Sequence, residues 1–398
     1  MPDRSHVPAS RPPSGRRAGG SVLDSAAASE GRAPDAEASA PLDPTDSRPH
    51  RRAELLAWLR LQAALGLRPV DAIEGLRAGH APDTLWRLAD AAGRARALRV
   101  REGGSAWRAL VRHRVCAVPW SSPAYPARLR PLRDAPPLLL VQGDCAAWRR
   151  PCVAIVGARA ATGYGRGVAR ELARALAARG VVVVSGLARG IDAAAHEGAL
   201  DAEGASIAVQ ARGPDDVYPA AHRALALRLR ERGAVVTELG PGVAPRRAFF
   251  PLRNRLISAL AGAVVVVEAR RRSGSLVTAR HAADQGVEVL AVPGRIDAPT
   301  SEGTNELLRD GAAVALGADD VLAALGMDPE PAPGPSRAAE AADSPLVRAL
   351  RDAPATRDEL AARLGARPEA LALELAELEI DGRIALERDG RLHVRTRR

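Results

Sequence analysis

Between Pro151 and Leu325, short β-rich runs alternate with longer stretches of helical periodicity. The runs are Val153 to Val156, Val181 to Val184, Ser206 to Val209, Ala234 to Thr237, Ala263 to Val267 and Val287 to Val292. That alternation predicts a parallel sheet wrapped by helices. Upstream, from Arg51 to about Val115, apolar residues recur at helical spacing (Leu55, Leu56, Leu59, then Leu85 and Leu88), and Gly66 and Pro69 mark a break between helices. Residues 1–50 are rich in Pro, Ser, Ala and Asp without apolar periodicity, which predicts a disordered tail. Downstream, a Pro-rich linker over 328–342 precedes helix signals at Leu346 to Leu350, Arg357 to Leu364 and Pro368 to Glu379, then a hairpin from Arg383 to Val394. Three short helices and a wing over 343–398 predict a winged helix.

At 398 residues the chain needs more than one core. It contains no Lys, so all 57 basic residues are Arg. Walker A loops, kinases and pyridoxal enzymes each require a lysine and are excluded. The formal charge is 57 − 47 = +10, but an Ala-rich, Arg-only composition also fits GC-biased codon usage, so the location of the charge matters more than its total. Residues 51–115 carry 13 Arg against 6 acids, most of the whole-chain excess, and a nucleic-acid contact and a solvated basic face account for it equally well. Residues 343–398 carry 11 Arg and 11 acids, and the helix that would enter a groove has Glu369, Glu374, Glu377 and Glu379 and no Arg. Such a helix repels phosphates, which favours protein contact over duplex binding. Cys116, Cys145 and Cys152 form no CxxC pair, and no apolar run reaches about 18 residues. A soluble cytoplasmic protein with no membrane partner is expected.

The candidate chemistry lies in the loops that end the strands. Gly157 to Gly167 joins the first strand to a helix expected from Val168, an arrangement that favours an anion at the helix N-terminus. A dinucleotide fingerprint fails, because Val168 replaces the third glycine and Ser185 stands where a ribose-binding acid belongs. The second strand runs into Ser185-Gly-Leu-Ala-Arg-Gly-Ile-Asp192, and His196 has no Ser or Cys partner by spacing and reads as structural. From Pro245 to Arg280, 8 Arg face the single acid Glu268, and Phe249, Phe250, Arg253, Asn254 and Arg255 crowd one run. Arginines interleaved with aromatic rings suit single-stranded nucleic acid; an Arg-rich helix start over a core Phe pair is the alternative. Ser273 and Ser275 begin another small-residue loop at the same end of the sheet. No metal pair, nucleophile elbow or paired carboxylate appears, so no cofactor, no metal and no catalytic residue is expected.

Taken together, several motifs resemble the DNA processing protein A (DprA/Smf) family. They are Ala154-Ile-Val-Gly-Ala-Arg159, Ser185 to Asp192 with Ala195-His196, Tyr218-Pro219, Phe250-Pro-Leu-Arg-Asn-Arg255, Ser273-Gly-Ser-Leu-Val-Thr-Ala279, and Val292-Pro-Gly294 with Gly303-Thr-Asn305. The resemblance implies an extended Rossmann-like, doubly wound domain over 116–327, flanked by a helical SAM-like domain over 51–115 and a winged helix. It also implies a nonenzymatic homodimer that binds single-stranded DNA, protects incoming strands and loads RecA recombinase in natural transformation. Carried over by motif, Arg159, Arg253 and Arg255 would contact phosphates, Ser185 and Gly186 would supply loop donors, and Phe250 would stack or brace the loop. Gly157, Asn254, Ser273 and Ser275 complete the expected DNA-binding set. The chain departs from the family pattern at Gln210 to Asp215 and at His222, which replaces an expected Asn. The competing function is a nucleotide-processing enzyme of the phosphoribohydrolase type, for which Pro293-Gly-Arg-Ile and Gly303-Thr-Asn-Glu306 form only a split, incomplete motif.

Overall fold

The computed structural model describes residues 40–65, 70–327, 345–366, 368–380, 384–386 and 391–394. Helices α1 (Pro49–Leu65), α2 (Val70–Arg77), α3 (Pro82–Leu88), α4 (Ala91–Leu98) and α5 (Ser105–Arg112) come first. Their apolar faces share one core with the following strands: Leu55, Trp58, Leu61, Ile73, Trp86 and Trp107 bury with Ala117, Leu138 and Leu140. The expected tail ends earlier than residue 50. Leu42 is buried in this core and exchanges two backbone hydrogen bonds with Ala117 (2.7 and 2.8 Å), while the buried Arg51 donates to the carbonyls of Ala40 (2.7 Å) and Pro41 (3.2 Å). A lone leucine among polar residues leaves no periodic trace. Residues 1–39, the break at Gly66 and Pro69, and the linker 328–342 lie outside the described residues.

The central region runs β1 (Cys116–Pro119), β2 (Leu138–Gly143), β3 (Cys152–Val156), α6 (Gly163–Ala178), β4 (Val182–Ser185), α7 (Ile191–Asp201), β5 (Ser206–Val209), α8 (Arg223–Arg232), β6 (Ala234–Thr237), α9 (Phe249–Leu260), β7 (Ala263–Val266), α10 (Gly274–Asp284), β8 (Glu288–Ala291), α11 (Glu302–Arg309), β9 (Ala313–Val314) and α12 (Ala318–Ala324). Its nine strands form one sheet in the order β1-β2-β6-β5-β4-β3-β7-β8-β9. The β1/β2 and β2/β6 pairs are antiparallel and the rest are parallel. Val and Ile fill β3, β4 and β7 because both faces are covered. Ala154, Val156, Val184 and Val264 pack under Leu256, Ile257 and Leu260 of α9 and Ala279 of α10. On the other face Val153, Ile155, Val183 and Val265 pack under Leu172 and Leu176 of α6, Ala195 of α7 and Leu322 of α12.

This is the expected doubly wound α/β sheet of Rossmann type, widened by an antiparallel edge. The chain steps outward from β3 to β6 on one side, then returns to place β7 against the other edge of β3. Loops leaving the carboxyl ends of β3 and β7 therefore diverge and leave a crevice, where open α/β sheets bind ligands.

At the C-terminal end of the described chain, α13 (Pro345–Asp352), α14 (Arg357–Leu364) and α15 (Pro368–Ile380) precede the hairpin of β10 (Ile384–Leu386) and β11 (Leu392–Val394). Leu346, Leu350, Leu360, Leu371, Leu375, Ile384 and Leu392 close a separate core, as a winged helix requires. Thr356 caps α14 by accepting from Glu359 N–H (3.3 Å), and Glu359 accepts in return from Thr356 N–H (3.0 Å). On α15 Glu374 is half-buried and Glu379 exposed. Among the described residues no helix is long and apolar enough to cross a membrane.

Candidate nucleic-acid interface

The glycines expected to form an anion-binding loop behave differently. Gly163 to Gly167 are the first turn of α6, which starts at Gly163 and not at Val168. Thr162 caps it, its hydroxyl accepting from Gly165 N–H (2.9 Å). The anion at this helix N-terminus is the protein's own. Glu268, buried in the loop after β7, accepts from Thr162 N–H (2.9 Å) and from the Thr162 hydroxyl. A Cβ at Gly165 would collide with that carboxylate. The helix polarity that would draw a phosphate is thereby satisfied internally, which corrects the expected phosphate cradle. Gly157 serves packing as well, since a Cβ there would meet Ile191 Cγ1 at 2.6 Å and Glu268 O at 2.9 Å.

The next loop is held just as tightly. The Ser185 hydroxyl is buried and donates to Ile155 O (2.7 Å). Gly186 N–H (3.1 Å) and Ala188 N–H (3.3 Å) donate to the Asp192 carboxylate. Between them Leu187 adopts φ 58° with its side chain buried, a left-handed conformation that costs a branched residue about 1–2 kcal/mol. His222 Nδ1 braces the loop by donating to Leu187 O (2.9 Å). The residue that breaks the family pattern thus has a structural use here.

Arg253 of α9 reaches into this loop from the other side of the crevice. Its guanidinium donates to Gly186 O (2.6 Å) and to Val209 O, and its Nε to Asn254 Oδ1 (3.3 Å). Burial pulls its pKa down to about 10, against the opposing pull of Asp192, so it stays cationic at neutral pH. Burial likewise raises the Asp192 carboxyl, against Arg253 and the two amides. Arg255 is buried elsewhere and ion-pairs with Asp134 (2.9 Å) and Glu238 (2.6 Å). His196, fully buried, donates from Nδ1 to Ser206 Oγ (2.7 Å), whose own proton goes to Val183 O (2.7 Å). That chain fixes the tautomer, and burial depresses the imidazole to about 3.

Over these braced loops lies an open cavity of about 760 Å³. Arg159, Arg247, Arg270 and Arg272 stand around it, all exposed, and among the described residues none pairs with a carboxylate. The adjacent Arg271, by contrast, is held by Glu306 (2.8 Å). Among the described residues the only acid in the wall is Asp192, already engaged by backbone amides and close to Arg253. One side is aromatic: the Arg159 guanidinium lies 4.9 Å from the Phe250 ring centroid, and Tyr218 meets Phe250 at 5.7 Å with the rings inclined 56°. Ser273 caps α10, its Oγ accepting from Ser275 N–H (3.3 Å) and sharing a hydrogen bond with Ser275 Oγ (2.7 Å). Asn254 Nδ2 donates to Gly274 O (3.2 Å) and ties α9 to α10. Exposed guanidinium groups and ring faces bind phosphates and bases. Among the described residues no cluster of His, Cys, Asp and Glu is suited to a metal.

Of the expected contact residues, the cavity brings together Gly157, Arg159, Phe250, Arg253, Asn254, Ser273 and Ser275. It does not include Ser185, Gly186 or Arg255. Ser185 and Gly186 spend their donors on Ile155 and Asp192, and Arg255 is committed to two carboxylates. Sequence reasoning passed over Arg247, Arg270, Arg272 and Tyr218. The signal for the arginines was present in the one-sided charge of residues 245–280, and the Tyr218-Pro219 motif marked the tyrosine.

Residues 117–326 match the family model described as DNA recombination-mediator protein A, and residues 329–390 match that of the DprA winged helix domain. The chain is 45% identical over 280 residues to a DNA processing protein DprA of Mycobacterium tuberculosis, covering 67% of this chain and 71% of that protein. It is 45% identical over 206 residues to the protein Smf of Escherichia coli, covering 52% and 55% respectively. Its fold is similar to the X-ray structure of DNA processing protein A from Streptococcus pneumoniae, with a TM-score of 0.59 at 32% identity, over 66% of this chain and 95% of that one.

Proposed function

The chain belongs to the DNA recombination-mediator protein A family, and on that premise we propose that it binds single-stranded DNA along the carboxyl edge of its sheet, protects incoming strands and loads RecA recombinase onto them in natural transformation. The observation that carries this reading is the ring of four exposed arginines, none with a carboxylate partner among the described residues, around an aromatic wall. Arginine neutralises phosphates, and Phe250 and Tyr218 offer faces to unstacked bases, each worth roughly 1–3 kcal/mol. A duplex keeps its bases stacked and cannot use those faces. In this reading the protein acts as a cytoplasmic homodimer and as a binder, with no catalytic step, cofactor or metal.

The enzyme alternative has less support. Asn305, within its split motif, clamps Gly294 by accepting from its N–H (3.2 Å) and donating to its carbonyl (3.0 Å). Glu268 fills the helix N-terminus where a nucleotide phosphate would sit. The deciding measurement is a salt titration of binding to a labelled single strand and its duplex by the wild type and an Arg247→Ala/Arg272→Ala variant. The expected result is a preference for single strand and, in the variant, a slope of log affinity against log salt reduced by about 1.4, at roughly 0.7 per lost phosphate contact. Equal affinity for both DNAs with an unchanged slope overturns the reading.

A further inference from the structure

We infer that the single strand continues from the cavity onto the helical unit at the front of the described chain, whose unpaired arginines form a second phosphate-binding surface. This inference rests on the proposed single-strand reading and extends its footprint.

The charge balance of that unit is lopsided in a specific way. Of the six acids in residues 51–115, Glu54 pairs with Arg51 (3.2 Å) and Glu102 with Arg52. Asp83 accepts from Trp86 Nε1 (2.7 Å), and Asp90 caps α4 through Gly93 N–H (2.5 Å). The remaining two, Asp71 and Glu74, are both on α2. From Arg87 to Arg114 eight arginines are exposed, and among the described residues none has a carboxylate partner. Crowded, uncompensated guanidinium groups repel one another and create a positive field that a polyanion relieves.

The helical unit is tied to the loop that leads to the cavity. Arg60 and Arg87 both lie over the Trp86 ring, at 5.6 and 5.4 Å from its centroid. Arg96 reaches the last turn of α1, donating to Ala63 O (3.0 Å) and Ala64 O (2.8 Å). In that same stretch of α1, Gln62 Nε2 donates to Glu238 O (2.8 Å). Glu238 opens the loop that follows β6 and carries Arg247 to the cavity rim. These contacts join the loop that carries Arg247 to the helix around which Arg60, Arg87 and Arg96 gather, and a flexible chain with a charge at every nucleotide is the ligand suited to span both.

The test compares strands of about six and about twenty-four nucleotides, one near the lower end of the roughly 4–16 nucleotides held by one single-strand-binding fold and one beyond its upper end. The full-length wild type is set against Arg87→Gln/Arg99→Gln/Arg101→Gln and against Arg247→Ala/Arg272→Ala. The first variant changes exposed side chains, so its thermal unfolding should match the wild type. It should bind the short strand as the wild type does but the long strand about tenfold more weakly, with the salt slope reduced by about 2. Unchanged long-strand affinity and slope overturn the extended track, as does an equal loss on duplex, which would mean a general basic surface. The second variant should weaken both strands. If it leaves short-strand binding intact, the cavity reading fails on its own account, whatever the helical unit does.

Discussion

Arg253 and Arg255 lie two residues apart on one helix and are both 5% exposed, whereas Arg159, Arg247, Arg270 and Arg272 come from loops and reach solvent. Two positions on a helix are about 200° apart, so the buried pair serves opposite sides of α9: one the loop after β4, the other Asp134 and Glu238. Both are desolvated, a cost their hydrogen bonds and ion pairs offset, and both hold the scaffold. The loop arginines carry little burial and keep their donors. The Phe-Pro-Leu-Arg-Asn-Arg motif thus builds the scaffold of the site, while arginines of the loops after β3, β6 and β7 face the cavity.

The sharpest way to break this comparison is Arg253→Met. Removing the cation leaves the carbonyls of Gly186 and Val209 without their donor and the buried Asp192 without the positive charge near it, and unfolding in urea should show a loss of about 3–5 kcal/mol. A variant as stable as the wild type would show that Arg253 is not structural.

A second, slightly smaller effect follows from His196, whose pKa is lowered from 6.5 to about 3 by burial. The unfolded chain protonates below pH 6.5 while the folded one resists until about 3. The stability from neutral His196 is therefore complete above pH 6.5 and lost as pH falls, at about 1.4 kcal/mol per unit. Between pH 7 and 4 this group should remove about 3 kcal/mol, and His196→Gln should flatten that part of the profile. An unchanged pH profile in the variant would sever the acid response from this buried chain of hydrogen bonds. Smallest, and on the ligand side of the comparison, Phe250→Ala should weaken single-strand binding by about 1–3 kcal/mol while the salt slope holds, because a ring contributes stacking and no charge. A changed slope would mean that Phe250 acts chiefly by positioning Arg159.

The parallel strands were legible to within a residue or two because Val183, Ile207 and Val265 belong to unbroken buried runs. β1 and β2 were not: Cys116–Pro119 ends in a proline, and the Leu-rich Leu138–Gly143 has no distinguishing period. The two residues of β9 are too few to register. At the site, strand ends placed the crevice correctly, since topology alone brings those loops together. The fate of each side chain was hidden because its partners are remote in sequence. Arg253 meets carbonyls 67 and 44 residues away, and Thr162 meets Glu268 across 106. No local pattern announces such contacts; only the folded chain does.

Glu268 also bears on what the protein ignores. A carboxylate tethered to the backbone occupies the start of α6 at an effective concentration that no dissolved nucleotide matches. A free mononucleotide would be left with the rim and its few contacts, and is expected to be displaced readily. A polymer occupies many such weak positions at once, and its avidity multiplies with every added link. On the proposed single-strand reading, the protein is expected to discriminate by length and to be indifferent to the pool of monomers from which such a strand is made.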